Sequence, residues 1–352
     1  MGRLPLVQRF APVVLGLLIA APLSLRAFDS NGQGQNGNGQ GSNGQGQDGG
    51  GSQTIEAGQP PVTVVATVGG ATEARQKSGK AGRRGGASNN LSYRGGIGGI
   101  GVETAPKVYL VFWGAQWNNN DPSGEAGILT SFYSGVGGSP WLNSVTQYCQ
   151  GIAAGTATCS SAVPHAGNPT MGLYAGVWSD NSAAAPASPT QAQLASEAIK
   201  AAAYFGNTSS SKNASVQYVI ATATGNSMNG FGTSWCAWHS ATSSPYGNIA
   251  YTNLPYMTDA GGACGAGFNG MSFTAGITIV GGHEMAESIT DQFPNGGWLD
   301  ASGEENGDKC AWISTGNQGA STTISLSTGD FPVQSLWSNA FASGAGGCVV
   351  SY

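Results

Sequence analysis

Between Glu284 and Asp308 the chain places seven carboxylates (Glu284, Glu287, Asp291, Asp300, Glu304, Glu305 and Asp308), although only 9% of its 352 residues are charged. From Val102 onward there are fourteen acidic residues and four basic ones, Lys107, Lys200, Lys212 and Lys309, so half of that region's acids sit in about a tenth of its length. The first three are flanked by Ile277 to Val280 and by Ile289, which is the composition of a buried element. Carboxylates taken out of water must be neutralised, paired or bound to a cation. Any fold this chain adopts has to solve that problem.

The run Gly281-Gly282-His283-Glu284-Met285-Ala286-Glu287-Ser288-Ile289-Thr290-Asp291 suggests how. On a helix, positions i and i+4 share a face, so His283 and Glu287 point the same way. Imidazole nitrogen and carboxylate oxygen are both zinc ligands, and Glu284 falls where a general base belongs, as in a His-Glu-x-x-His hydrolase helix with Glu in the last place. Asp291, one turn further, is expected to orient a ligand. Glu305 and Asp308, in the Gly- and Asp-rich turn before Cys310, are candidates for a third metal ligand. His239, in Trp235-Cys236-Ala237-Trp238-His239, is the other candidate, either as a ligand or as a catalytic group that stabilises an oxyanion. His165, in a Pro-flanked loop, is read as structural. Zinc is the expected cofactor, with calcium as the alternative because spaced carboxylates in a turn suit a hard cation.

The rest of the composition narrows the class. Net charge is −5, and no basic excess exists to neutralise phosphates, so no nucleic-acid partner is expected. The Gly-rich runs lack a following Gly-Lys-Ser/Thr and are not phosphate loops. Arg3 and Arg9, the apolar stretch Ala11 to Leu25 and the small residues up to Ala27 read as a signal peptide over 1–27, leaving no stable membrane span once cleaved. The expected address is secreted and extracellular, or periplasmic. Residues 28–89 read as a linker, first Gly/Gln/Asn-rich and then basic at Arg75, Lys77, Lys80, Arg83 and Arg84. All six cysteines follow it, and proximity favours Cys149–Cys159, Cys236–Cys264 and Cys310–Cys348 among the fifteen pairings six cysteines allow. Asn90, Asn207 and Asn213 head glycosylation triplets.

Residues 90–352 are expected to form a single α/β or α+β domain, with a mixed central sheet, flanking helices and a metallopeptidase-like active-site helix. Val108 to Trp113 is a β-branched and aromatic run of the kind found in buried strands. Leu173 to Trp178 and Val216 to Thr224 are further strands. Ser188-Pro189-Thr190-Gln191 predicts a capping box with Ser188 as N-cap, opening a helix to about Phe205. Phe273 to Thr290 is expected to be helical in its second half.

From Leu91 to Trp312 the chain resembles the EXORDIUM-like, or phosphate-induced protein 1, family of plants and bacteria. Leu91 to Gly96 resembles its opening Tyr-His-Gly-Gly segment, with Arg94 where His is usual. Val108 to Gly114 is similar to its Tyr-Leu-Ile-Trp-Tyr-Gly strand, Cys236 to His239 to its Cys-Gly-Phe-His, and Asn253 to Tyr256 to its Thr-Leu-Pro-Tyr. Gly282 to Asp291 and Glu305 to Cys310 resemble its Ala-His-Glu-Ile-Ala-Glu-x-x-Thr-Asn/Asp and Glu-Ile-Ala-Asp-Leu-Cys segments. The resemblance implies an extracellular protein and makes His239, His283, Glu284, Glu287, Asp291, Glu305 and Asp308 positions shared with the family. It does not specify an activity. The sequence therefore supports two functions: a secreted zinc-dependent hydrolase of metallopeptidase type, or a non-catalytic extracellular binding or signalling module with a structural metal site. A peptide or a cell-wall polymer is the expected partner.

Overall fold

In a computed structural model the described residues are 52–53, 59–70, 89–314 and 319–352; the expected signal peptide and the Gly/Gln/Asn repeat lie outside them. The central sheet contains β1 (Ser52–Gln53), β2 (Val62–Ala66), β4 (Lys107–Trp113), β5 (Tyr174–Asp180), β6 (Val216–Thr222), β7 (Trp235–Ser244) and β8 (Gly247–Leu254). A two-residue strand, β3 (Ser92–Tyr93), lies outside it. The sheet order is β1-β2-β7-β8-β6-β4-β5. Pairing is parallel among β8, β6, β4 and β5, and antiparallel from β8 through β7 and β2 to β1. This is the mixed central sheet anticipated from the apolar runs.

Period-two alternation sends the two sides of each strand into separate cores. Val108, Leu110 and Phe112 pack with α1 (Glu125–Val136) and α3 (Ala275–Thr290), whereas Val111 and Trp113 pack with α2 (Gln191–Tyr204). All sixteen residues of α3 are buried, as expected for a helix that is apolar on most sides. Gly276 lets its first turn touch the preceding loop: a Cβ there would lie 1.9 Å from the Cys264 carbonyl oxygen.

Two local readings shift. The helix α2 starts at Gln191 with Thr190 as N-cap and a capping box closed by Gln193, not by Ser188 and Gln191. The sequence offers two overlapping boxes, and tertiary contact selects the second, because the Gln191 amide is used to donate to the Pro60 carbonyl at 2.8 Å. In addition, Val62–Ala66, which falls in the expected linker, is a strand with Val62 and Val65 fully buried. It is a short β-branched run, and the apolar surface it covers makes it ordered.

After α3 come β9 (Trp298–Leu299), β10 (Thr322–Leu326), β11 (Gly329–Val333), β12 (Leu336–Ser338) and β13 (Gly347–Val349), in two-stranded pairs: β3 with β9, β10 with β11 and β12 with β13. The three disulfides are Cys149–Cys159, Cys236–Cys264 and Cys310–Cys348, the pairing that proximity favoured. Such a set is consistent with a secreted protein, since disulfides persist in oxidising compartments. Among the described residues no helix is long and apolar enough to cross a membrane. Asn207 and Asn213 are buried and hydrogen-bonded, Asn207 to the Tyr218 hydroxyl and Asn213 to the Asn207 carbonyl, so neither side chain is open to glycosylation. His165 bonds the Thr146 and Ser160 carbonyls, in keeping with a structural role.

Candidate metal centre

Three pieces of chain converge on the C-terminal half of α3. The helix brings His283, Glu284 and Glu287; β7 brings His239; and the turn 305–308 brings Glu305 and Asp308. The helix spacing puts His283 Nε2 2.8 Å from Glu287 Oε1, yet without the alignment of a hydrogen bond. Asp308 Oδ1 lies 3.6 Å from the same nitrogen. On the other side of Glu287, its Oε2 lies 3.7 Å from His239 Nε2, which is 3.0 Å from Glu305 Oε2.

The turn is fixed to the helix by its backbone. Asp308 donates its amide to Glu287 Oε1 at 2.9 Å, and Glu305 donates its amide to Asp308 Oδ2 at 3.2 Å. Asn306 accepts from the Trp337 amide at 2.7 Å. Gly307 lies flat on the imidazole, where a Cβ would sit 2.9 Å from two His283 ring carbons and 2.8 Å from Glu287 Oε1. No side chain fits there, which is a tertiary reason for this glycine.

Gln334, after β11, sets the histidine tautomer. Its Nε2 donates to the Gly307 and Ser335 carbonyls at 2.8 and 3.1 Å, so its Oε1, 3.0 Å from His283 Nδ1, must accept. Neutral His283 then carries its proton on Nδ1 and turns the Nε2 lone pair toward Glu287 and Asp308. This is how a metal-ligating histidine is held by a neighbour.

His239, His283, Glu284, Glu287 and Glu305 are all fully buried, and the Asp308 side chain is 1% exposed. Among the described residues the ion pairs of these carboxylates are with the two histidines alone; Lys309 pairs with Asp300 instead, at 2.7 Å. Burial holds Glu284 and Glu305 well above the usual carboxylate range and Glu287 above it, with neighbouring carboxylates adding to the effect. Burial pushes His239 down to about 4. For His283 burial acts in the same downward direction, but Glu287 and Asp308 outweigh it and hold the ring well above its ordinary value. Among the described residues the buried carboxylates of the cluster, Glu284, Glu287, Glu305 and Asp308, outnumber its two histidines.

Two sets of donors gather tightly enough for one ion, each with its ligand atoms within 4.8 Å of one another: His283, Glu287 and Asp308, and His239, Glu284 and Glu287. Two ligands on a tetrahedral zinc ion are about 3.4 Å apart. The 3.6 and 3.7 Å separations fit that spacing and are too long for hydrogen bonds. Buried histidine and carboxylate groups thus could hold a metal ion. Of the six residues expected at the site, Glu305 alone stands outside both sets, because its oxygen is turned to His239. Asp291 is directed elsewhere: its carboxylate accepts the amides of Asn295, Gly296 and Gly297 and fastens the loop after α3, while burial raises it to about 7. The expectation that it orients a ligand is corrected. Arg94 reaches the Asp300 carbonyl, away from the cluster.

Two contributors carry no local signature in the sequence. Gln334 lies 51 residues from His283. Thr63, opposite His239 in the β2–β7 register, comes from the expected linker. Comparison of the chain with protein-family models, curated proteins and solved structures finds no match in any of the three.

Proposed function

We propose that this chain is an exported, EXORDIUM-like, zinc-dependent hydrolase of metallopeptidase type, with a peptide as its substrate. The observation that carries the reading is the convergence of His283, Glu287 and Asp308 at ligand spacing, in a buried acidic cluster to which, among the described residues, no lysine or arginine is paired. These three residues would hold the ion, with His239 beside them. Nitrogen donors favour zinc over calcium, which takes six to eight oxygens. The signal-like N-terminus and the disulfides support export.

Bound zinc supplies a Lewis acid and lowers the pKa of a coordinated water. The chain's own residues supply the rest. Glu284 is a neighbour of His283 and Glu287, and burial raises its pKa, the direction that strengthens a carboxylate as a proton acceptor. Gln334 keeps the His283 Nε2 lone pair free, and Gly307 lets the 305–308 turn close on the imidazole.

A second reading has its own support. Complete burial of the cluster is a feature of closed structural metal sites, so a non-catalytic binding or signalling module with a structural ion is the alternative. Glu284→Gln decides between them. As a hydrolase the variant keeps its fold and zinc stoichiometry and loses peptide hydrolysis by about 10²-fold or more. Purified protein that holds no stoichiometric transition metal would refute both.

A further inference from the structure

The element that closes off the cluster is β2, and it is held in an unusual way. Thr63 lies opposite His239 across the antiparallel β2–β7 pairing. The Thr63 hydroxyl faces Glu305 and the Val65 amide faces Glu284. The main chain of this segment is gripped by side chains from the body: Gln191 Nε2 donates to the Pro60 carbonyl at 2.8 Å and Ser240 Oγ to the Pro61 carbonyl at 2.7 Å. The Trp312 indole donates to the Ala66 carbonyl at 2.6 Å. Donors aimed at carbonyl oxygens, added to a strand ladder, recognise a main chain whatever its sequence. Specificity then comes from alternate side chains entering pockets, as in strand addition to a sheet edge. Here Val62 and Val64 enter the α2-side core with Trp238, while Val65 joins the core on the α3 side.

Connectivity sets β2 apart from its neighbours. It reaches β3 only through residues 67–91, and no disulfide ties it down, since all six cysteines lie at or beyond Cys149. Among the described residues of the sheet, the two-residue β1 alone lies beyond it. Lifting it away would bare the β7 edge, His239 and Glu284.

We propose that the β7 edge above the candidate metal centre is a groove for an extended polypeptide, and that residues 60–66 of the chain itself fill it as a tethered peptide ligand. The inference rests on the hydrolase reading and deepens it by giving the substrate class: an extended peptide, antiparallel to β7, with β-branched residues at the positions of Val62, Val64 and Val65. It also accounts for the full burial of His239, His283, Glu284 and Glu287.

The test uses the full chain with a recognition sequence for a specific endoprotease inserted after Ser78, folded and then cut. The expected result is that the N-terminal piece dissociates on dilution, that the body keeps its near-ultraviolet circular dichroism, and that a fluorescent synthetic peptide of residues 59–70 binds saturably in its place. Gln191→Ala and Ser240→Ala in the body should each weaken that peptide about fivefold, the worth of one hydrogen bond. As a second measurement, uncut Val64→Asp protein should bind the labelled peptide where the uncut parent does not. The proposal is overturned if the piece stays bound and fails to exchange while the body remains native, or if its departure unfolds the body. Failure of the hydrolase reading looks different: the peptide binds and exchanges, but neither it nor any peptide related to it is cleaved by zinc-loaded protein.

Discussion

Replacing Gln334 with leucine removes three buried contacts at once while nearly conserving volume. The His283 Nδ1–H loses its acceptor at 3.0 Å, and the Gly307 and Ser335 carbonyls lose donors at 2.8 and 3.1 Å. Each buried group left unsatisfied costs about 1–3 kcal/mol, so the fold should weaken by roughly 3 kcal/mol or more. The effect on the ion is separate. With Nδ1 no longer fixed as the donor, the imidazole is free to rotate or to place its proton on Nε2, and loss of such an outer partner lowers metal affinity about 10–100-fold. Competition against a chromophoric chelator reads the affinity, and scanning calorimetry reads the stability. Gln334→Glu separates the two effects: it keeps an acceptor for Nδ1–H but not the donor to Gly307, so stability should fall while zinc affinity stays within about threefold. Should Gln334→Leu bind zinc as tightly as the parent despite a lower Tm, His283 is not presenting Nε2 to a metal and the tautomer argument fails.

Metal-free protein should lose stability between pH 5 and pH 8. Glu284, Glu287 and Glu305 are held above the carboxylate range by burial, and Asp291 to about 7, so their stabilising contribution is full below the unfolded pKa and vanishes as pH rises through the folded one. His283, also raised, acts in the same direction. His239, lowered to about 4 by burial, opposes the trend only below its unfolded pKa of about 6.5. Zinc requires ionised carboxylates and neutral imidazoles, so the gain in Tm on adding it should be larger at pH 8, with proton release on binding. Chelated protein that is more stable at pH 8 than at pH 5 would contradict this. Gly307→Ala places a methyl group against the His283 ring and Glu287. It should cost about 1–3 kcal/mol by overpacking and weaken zinc binding, read by the same calorimetry and competition; an unchanged affinity would show that the turn does not need its close approach.

Local periodicity determined much of this molecule. The apolar runs mark β4, β5 and β6, since alternating or continuous β-branched residues have one stable use in a two-faced sheet. The i, i+4 relation of His283 and Glu287 follows from helix geometry, and the nearest-neighbour disulfides follow from short loops. Other features were settled only when distant elements packed. Gln334 reaches His283 because β11 lies against α3. The side chain of Asp291 turns to the amides of 295–297, although helix spacing places it one turn beyond Glu287, because the loop after α3 folds back and presents three donors there. Val62–Ala66 resembles linker sequence because five residues carry too little pattern to stand out, and only the edge of β7 with its carbonyl-directed side chains makes a strand of them. A sequence specifies which residues share a face, but which face meets which is decided by the long-range contacts that give buried polar groups their partners.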